Sequence, residues 1–241
     1  RRVLFRSGNT LTLSSITGTA ACSASNLTLN TTGTVTVSGA IGTDIGTLTL
    51  TQTGGTTFSS TVNAATVTLT DTADAANITF SGNVTATTFN TATQGYNVVF
   101  NGASNTITNA VTFSNTGSVT LGNGSDTIAF TGGVTATAPS SINLNGTVTA
   151  AGTGVITLGD SDTSISVGGN STVGGTSTGT ITLGAATLAD DVTLTVGTGI
   201  GNTLTLSSIT GTAACSASNL TRSEEHTSEL QSHHDLVCRL L

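Results

Sequence analysis

What most constrains this chain is a four-residue pattern, apolar residues alternating with threonine or asparagine, that returns along nearly its whole length. It reads NLTL at 26–29, TLTL at 47–50, TVTL at 66–69, NITF at 77–80 and NVVF at 97–100. It continues as SVTL at 118–121, SINL at 141–144, VITL at 155–158, TITL at 180–183 and TLTL at 203–206. Side chains along a strand point alternately to opposite faces, so each signature is a strand with one apolar side. From position 77 the signatures start at 77, 97, 118, 141, 155, 180 and 203, a scattered interval of roughly 20 residues. A four-stranded propeller blade needs roughly 40–45 residues. The observed interval suits one coil of a stack in which each turn of chain covers the last.

The segment Ser118 to Thr137, SVTLGNGSDTIAFTGGVTAT, shows the unit most clearly. Three alternating runs, Val119–Leu121, Ile128–Phe130 and Val134–Ala136, are separated by the turn residues Gly122–Asp126 and Gly132–Gly133. Val119, Leu121, Ile128, Phe130, Val134 and Ala136 are predicted to share the inner face, with the threonines outside. The chain is therefore expected to be all-β: a parallel β-helix, or β-solenoid, of about ten coils of roughly 20 residues across residues 8–221. At about 4.8 Å per coil the rod would be about 50 Å long. The alternative is a series of tandem β-sandwich repeats, whose strands recur every ~8–12 residues. A sandwich array favours longer strands and a more aromatic core, and aromatic residues are only 3% of this chain. Asparagines such as Asn101, Asn123 and Asn145 are placed at turns, where asparagine tolerates a left-handed backbone. Stacked asparagines can also form amide ladders along a parallel stack.

Charge sharpens the picture. Residues 8–221 contain no Lys, Arg, His or Glu; their charges are Asp44, Asp71, Asp74, Asp126, Asp160, Asp162, Asp190 and Asp191. Such a body has no basic patch to neutralise phosphates, which argues against nucleic acid as a partner. No apolar run approaches the ~18 residues of a membrane-spanning helix. Alternating Ile, Leu, Val and Phe throughout argues against a disordered Ser/Thr/Gly linker.

The two ends are different in kind. Residues 1–7 and 222–241 hold all the Arg, His and Glu of the chain. RRVLFRS at Arg1–Ser7 and RSEEHTS at Arg222–Ser228 resemble the two strands of one sequencing-library adapter, translated. The resemblance implies that 1–7 is a non-native adapter-derived segment and 222–241 a non-native adapter-derived tail. The reading frame is accordingly expected to continue, in the intact protein, into further coils that cover its open strand edges. Within the body, the segment Gly8–Thr28 recurs unchanged at Gly201–Thr221, an offset of 193 positions. Either the parent protein carries tandem repeats of that length, or overlapping reads have been joined into one sequence.

Few residues carry candidate chemistry. Cys22 and Cys215 are one position of the duplicated segment and Cys238 lies in the tail; no CxxC or other metal spacing is present. Leu121–Ala129 partly matches the calcium-binding nonapeptide, with Leu121 where its first glycine belongs, and Gly159–Asp162 is a weaker echo. Calcium in those repeats needs ligands from successive coils in register, which one near-match does not supply. The pairs Asp160/Asp162 and Asp190/Asp191 could suggest acid/base machinery. Pectin-lyase-like enzymes share the solenoid fold, but likeness to them would also need basic residues beside the aspartates. The aspartates read better as solvated turn residues. Thr-x-Thr triplets at 34–36, 66–68, 106–108, 180–182 and 193–195 suggest the outward threonine ranks of ice-binding solenoids, yet they recur at no constant coil length. The expectation is no catalytic residue, no metal and no cofactor.

In its Thr/Gly/Asn-rich coils, its lack of Lys and Arg and its near-absence of Pro, the body at 8–221 resembles bacterial β-strand-repeat surface proteins, the haemagglutinin-type adhesins and autotransporter passenger regions. That resemblance implies an extracellular or outer-surface rod that is structural or adhesive rather than catalytic. Its implied partners are glycans or proteins of a host or neighbouring cell. An ice-binding surface and a glycan-processing β-helix enzyme are the alternatives.

Overall fold

The computed structural model describes the backbone of residues 2–5 and, with side chains, residues 8, 10–19, 23–42, 44–197, 201–212 and 216–222. Among these residues there are strands and turns and no helix. Every strand pairing is parallel, and each links a strand to one a full turn of chain away. This is a β-solenoid with three faces. The chain passes from a first face to a second, then to a third, and returns to the first one rung further along.

The first face holds ten rungs, through Cα partners Thr12, Thr36, Thr57, Thr79, Val99, Thr120, Asn143, Ser166, Thr187 and Thr210. At about 4.8 Å per rung, nine steps span about 43 Å. The second face runs from Ile16 through Ile41, Val62 and Val84 to Thr193–Val196 and Asn219–Arg222. The third runs from Ser25–Asn30 through Ile45–Gln52 and the later half of Val62–Leu69 to Leu204–Leu206. Coils are longer and less even than expected. Ile78 pairs Val98, 20 positions on, whereas Thr147 pairs Thr172, 25 positions on. Faces keep a fixed strand length because side chains must interdigitate; corners face solvent and absorb the difference.

The inward assignment holds at every position of the Ser118–Thr137 unit: Val119, Leu121, Ile128, Phe130, Val134 and Ala136 are at most 1% exposed. They extend a single apolar column that includes Val98 and Ile142 above and below Val119. All six phenylalanines of the body meet in its middle. Phe58, Phe80 and Phe100 occupy one file, with ring centroids 5.0 and 5.3 Å apart and near-parallel planes. Phe89, Phe113 and Phe130 pack against that file at tilted or perpendicular angles. Offset stacks and edge contacts of this kind contribute roughly 0.5–1.5 kcal/mol per pair beyond burial.

Two local expectations need correction. Gly122–Asp126 does not end a strand. It bulges within one continuous strand, Val119–Phe130, with a register shift between Leu121 and Asp126. The reason is that Asp126 turns inward and its carboxylate accepts the Asn123 N–H at 2.8 Å, closing the bulge on itself. Nor do the asparagines take left-handed turns. Among the described residues, the non-glycine positions with positive φ are Asp44, Ala75 and Asp191. Asparagines instead brace one coil to the next. Asn26 accepts the Thr47 N–H, Asn83 the Ser104 N–H, Asn97 the Ser118 N–H and Asn170 the Thr193 N–H, at 2.7–3.0 Å. Among the described residues an amide ladder step joins Asn97 Nδ2, donating, to Asn77 Oδ1 at 2.9 Å.

The segment Arg2–Phe5 pairs in parallel with Asn26–Leu29. An open strand edge accepts any extended segment that alternates, so this pairing follows from the edge itself.

Candidate functional site

Outside the core, the solenoid presents hydroxyl and amide side chains in files. On the first face the file is the ten-rung series from Thr12 to Thr210, with threonine at seven rungs. On the second, Thr127, Thr147, Thr172, Thr195 and Thr221 lie in register. On the third, Thr28, Thr49 and Thr68 are followed by Asn90, and then Thr112, Thr135, Thr157, Thr182 and Thr205 continue the line. Between Asn90 and Thr112 no strand pairing forms. The Thr91 side chain bridges instead, accepting the Ser114 N–H at 2.7 Å.

Uneven spacing in the sequence therefore does not prevent regular files, because the corners take up the slack. The five Thr-x-Thr triplets nevertheless fall on three faces. Thr34–Thr36 is on the first, Thr106–Thr108 and Thr193–Thr195 on the second, and Thr66–Thr68 and Thr180–Thr182 on the third. Side-by-side arrays do form: Thr47 and Thr49 lie directly over Thr66 and Thr68 on the third face, and Thr10 and Thr12 over Thr34 and Thr36 on the first, with the Thr10 and Thr34 hydroxyls 3.2 Å apart.

The sequence's candidate aspartates, Asp126, Asp160/Asp162 and Asp190/Asp191, are not brought together. Asp160 and Asp162 sit at a corner between the third and first faces, Asp190 and Asp191 at a corner between the first and second, and Asp126 in its bulge. The carboxylates of Asp126, Asp160 and Asp190 accept backbone N–H groups close by. Asp160 Oδ1 accepts the N–H groups of Asp162 and Thr163, both at 2.9 Å, and these bonds hold its carboxyl below the usual carboxylate range. Asp190 Oδ1 accepts the Ser216 N–H at 3.0 Å. Among the described residues no three His, Cys, Asp or Glu are grouped to hold a metal ion. Cys22, Cys215 and Cys238 lie outside the described residues.

Among the described residues there is a concavity that sequence reasoning missed. At a corner between the third and first faces, Thr32, Gln52, Thr53, Asp71, Thr72, Ala73, Asp74 and Gln94 line an open, polar cleft of about 390 Å³. Gln52 and Gln94 are the two glutamines of residues 8–221, separated by 42 positions, so only the coil stacking brings them together. The cleft floor is ordered by buried hydroxyls: Thr53 bonds Thr72 at 2.8 Å and Thr56 at 3.0 Å. Carboxylates, amides and hydroxyls without a cation make this a surface for neutral hydroxyl-rich ligands rather than anions.

The other ionisable group of note is buried. Tyr96 packs inside the solenoid, its hydroxyl donating to the Leu69 carbonyl at 2.8 Å and accepting the Ala92 N–H at 2.9 Å. Burial pushes the phenol up to about 12. It reaches no open surface, and its role is to pin a corner.

Compared with known proteins, this chain matches no family model, no curated protein and no solved structure.

Proposed function

We propose that this chain is a rod segment of a secreted or cell-surface bacterial repeat protein, structural in role and adhesive through its outer faces, with no catalysis of its own. The observation that supports this is the unbroken inner column from Leu27 to Val196, wrapped by faces that carry short hydroxyl and amide side chains. Length and a repetitive polar exterior suit a spacer that makes many weak contacts. The cleft at Gln52, Asp71, Asp74 and Gln94 offers a neutral glycan amide, carboxylate and hydroxyl groups on neighbouring rungs. Retention of the purified chain on immobilised neutral glycans or on cells, lost in the double variant Gln52→Ala/Gln94→Ala, tests the adhesive part. Calcium-dependent turnover of polygalacturonate or neutral glycans that disappears in Asp160→Asn or Asp162→Asn would overturn the non-catalytic reading.

The Thr47/Thr49 over Thr66/Thr68 array favours ice binding as a second reading. It extends at the next rung to Thr88 and Asn90, not to a third threonine pair. A thermal hysteresis measurement on the full chain decides this: freezing-point depression beyond the colligative value, abolished by Thr49→Tyr, would put ice binding first.

A further inference from the structure

The two copies of the duplicated segment do not occupy the same faces. In the first copy Leu11–Leu13 lies on the first face, Ile16 on the second and Leu27 on the third. In the second copy the same residues, Leu204–Leu206, Ile209 and Leu220, lie on the third, first and second faces. The pattern has turned by one face. The count of rungs explains it. Eight register steps lead along the first face from Leu11 to Ala186. Two further strands, Thr193–Val196 on the second face and Leu204–Leu206 on the third, complete the offset of 193 positions. The repeat is thus eight and two-thirds turns long.

The second copy is also incompletely covered among the described residues. Leu206 is 37% exposed, while Leu183, its partner one rung back, is 1% exposed. Leu220 is half-buried, while its counterpart Leu27, between neighbouring rungs, is 1% exposed. In the first copy the covering coil is the stretch 31–52: Val35–Val37 stacks on Leu11–Leu13, Ile41 on Ile16 and Leu48 on Leu27.

We propose that the end formed by Leu204, Leu206, Ile209 and Leu220 is a docking surface for the next repeat of this same chain, whose 31–52 coil stacks there turned by one face. Tandem repeats then form one continuous rod in which any outward feature moves to the adjacent face with each repeat and returns after three. A cleft such as the Gln52/Gln94 one would project in three directions along the rod. This inference rests on the rod reading, and it needs no adhesive activity.

The test inserts a second copy of residues 29–221 after Thr221 of the full chain, with the cysteines changed to serine. Parallel neighbours stand close enough for a disulfide. Thr205→Cys paired with the inserted copy's Thr36→Cys is expected to oxidise to an intramolecular disulfide. Thr210→Cys paired with the same inserted cysteine is not. The opposite preference, or no disulfide in either, overturns the rotation. Small-angle scattering separates this from failure of the rod reading: a continuous rod lengthens by about 42 Å, eight and two-thirds steps of about 4.8 Å. Lengthening without the Thr205 disulfide sinks the rotation alone; no lengthening sinks both. Should the doubled chain fail to fold, a shorter insertion of residues 29–52 is read by hydrogen exchange. The amides of Leu204 and Leu206, which face the open rung as the Leu11 N–H faces the Thr34 carbonyl, are expected to slow about tenfold or more once covered; unchanged exchange overturns the docking surface.

Discussion

Val119→Asp, set against Thr120→Asp, separates the inside of this solenoid from its outside within two adjacent residues. Val119 is fully buried, with Val98 and Ile142 as its partners on the rungs to either side, both also fully buried. Replacing it forfeits the burial of a valine, about 1.5–3 kcal/mol. It also leaves a carboxyl in an apolar column, at a further cost of about 1–3 kcal/mol. The two together come to about 4 kcal/mol. Thr120, half-buried on the outer side, bonds Asn143 Nδ2 at 3.3 Å, and an aspartate there accepts the same donor. Its substitution is expected to change stability by about 0.5 kcal/mol or less. For a chain of this size about 4 kcal/mol corresponds to a fall of about 8–16 °C in Tm.

The pH dependence gives a second reading of the same pair. A buried carboxyl has its folded-state pKa raised above the unfolded value of about 3.9. Between those two values the folded state binds the extra proton, so stability falls as pH rises. The Val119→Asp deficit should therefore be smallest below about pH 4 and grow as pH rises through the raised pKa. The Thr120→Asp variant should track the parent. Circular dichroism melts at pH 3, 5 and 7 make the measurement. Equal losses in Tm at pH 7 would refute the inward and outward assignment.

Tyr96 is the single tyrosine, so absorbance at 295 nm titrates it alone; its midpoint is expected near 12 rather than 10. Because the folded pKa is the higher, its contribution is intact below pH 10 and lost as pH rises toward 12, an alkaline fall in Tm that Tyr96→Phe should lack. Phe80→Ala removes the ring at the junction of Phe58, Phe89 and Phe100 and should cost about 3–5 kcal/mol by melt or hydrogen exchange. Gly82→Ala puts a Cβ against the Ser60 and Thr61 backbone of the preceding rung, where nothing flexible can yield, and should destabilise by about 1–3 kcal/mol. The backbone-bonded Asp160 carboxylate stabilises its corner above its lowered pKa and loses that as pH falls through it, so Asp160→Asn should flatten the acid arm of stability.

The strand positions were legible because alternation is a two-residue rule that needs no tertiary knowledge. It correctly places Val119, Leu121 and Ile128 inside without any reference to neighbouring coils. The corners were not legible, because composition alone does not say whether a polar turn residue faces water or the core. Asn105 is the clearest case. It sits at a core position between Val84 and Ile128, fully buried, and alternation would call for an apolar residue there. Its amide is held by Gly102, donating to that carbonyl at 2.6 Å, and accepts the Val84 N–H at 3.0 Å. It thus replaces a backbone partner that the corner withholds. Thr53 and Thr72 follow the same logic, and their inward hydroxyls are what shape the cleft. Its lining residues span 32 to 94, so no local window could have revealed it.

The three-faced section explains how one chain tolerates coils of unequal length yet keeps its inner column in step. Each face demands only that a strand of about three residues meet its neighbour in parallel register; the corners can gain or lose residues freely. A strand that alternates correctly fits any of the three faces, because each asks for the same inward apolar side chains. The duplicated segment demonstrates this directly, since Leu-Thr-Leu serves the first face as Leu11–Leu13 and the third as Leu204–Leu206. Face identity is therefore set by how many strands precede a segment, not by its own sequence. A repeat need not contain a whole number of turns to stack. Insertion of one strand's worth of residues at a corner should rotate everything downstream by one face while leaving the core continuous. Only the outward files, whose order of Thr, Asn and Ser differs between faces, register the change. Any function carried on those files is then a property of rung count as much as of residue type.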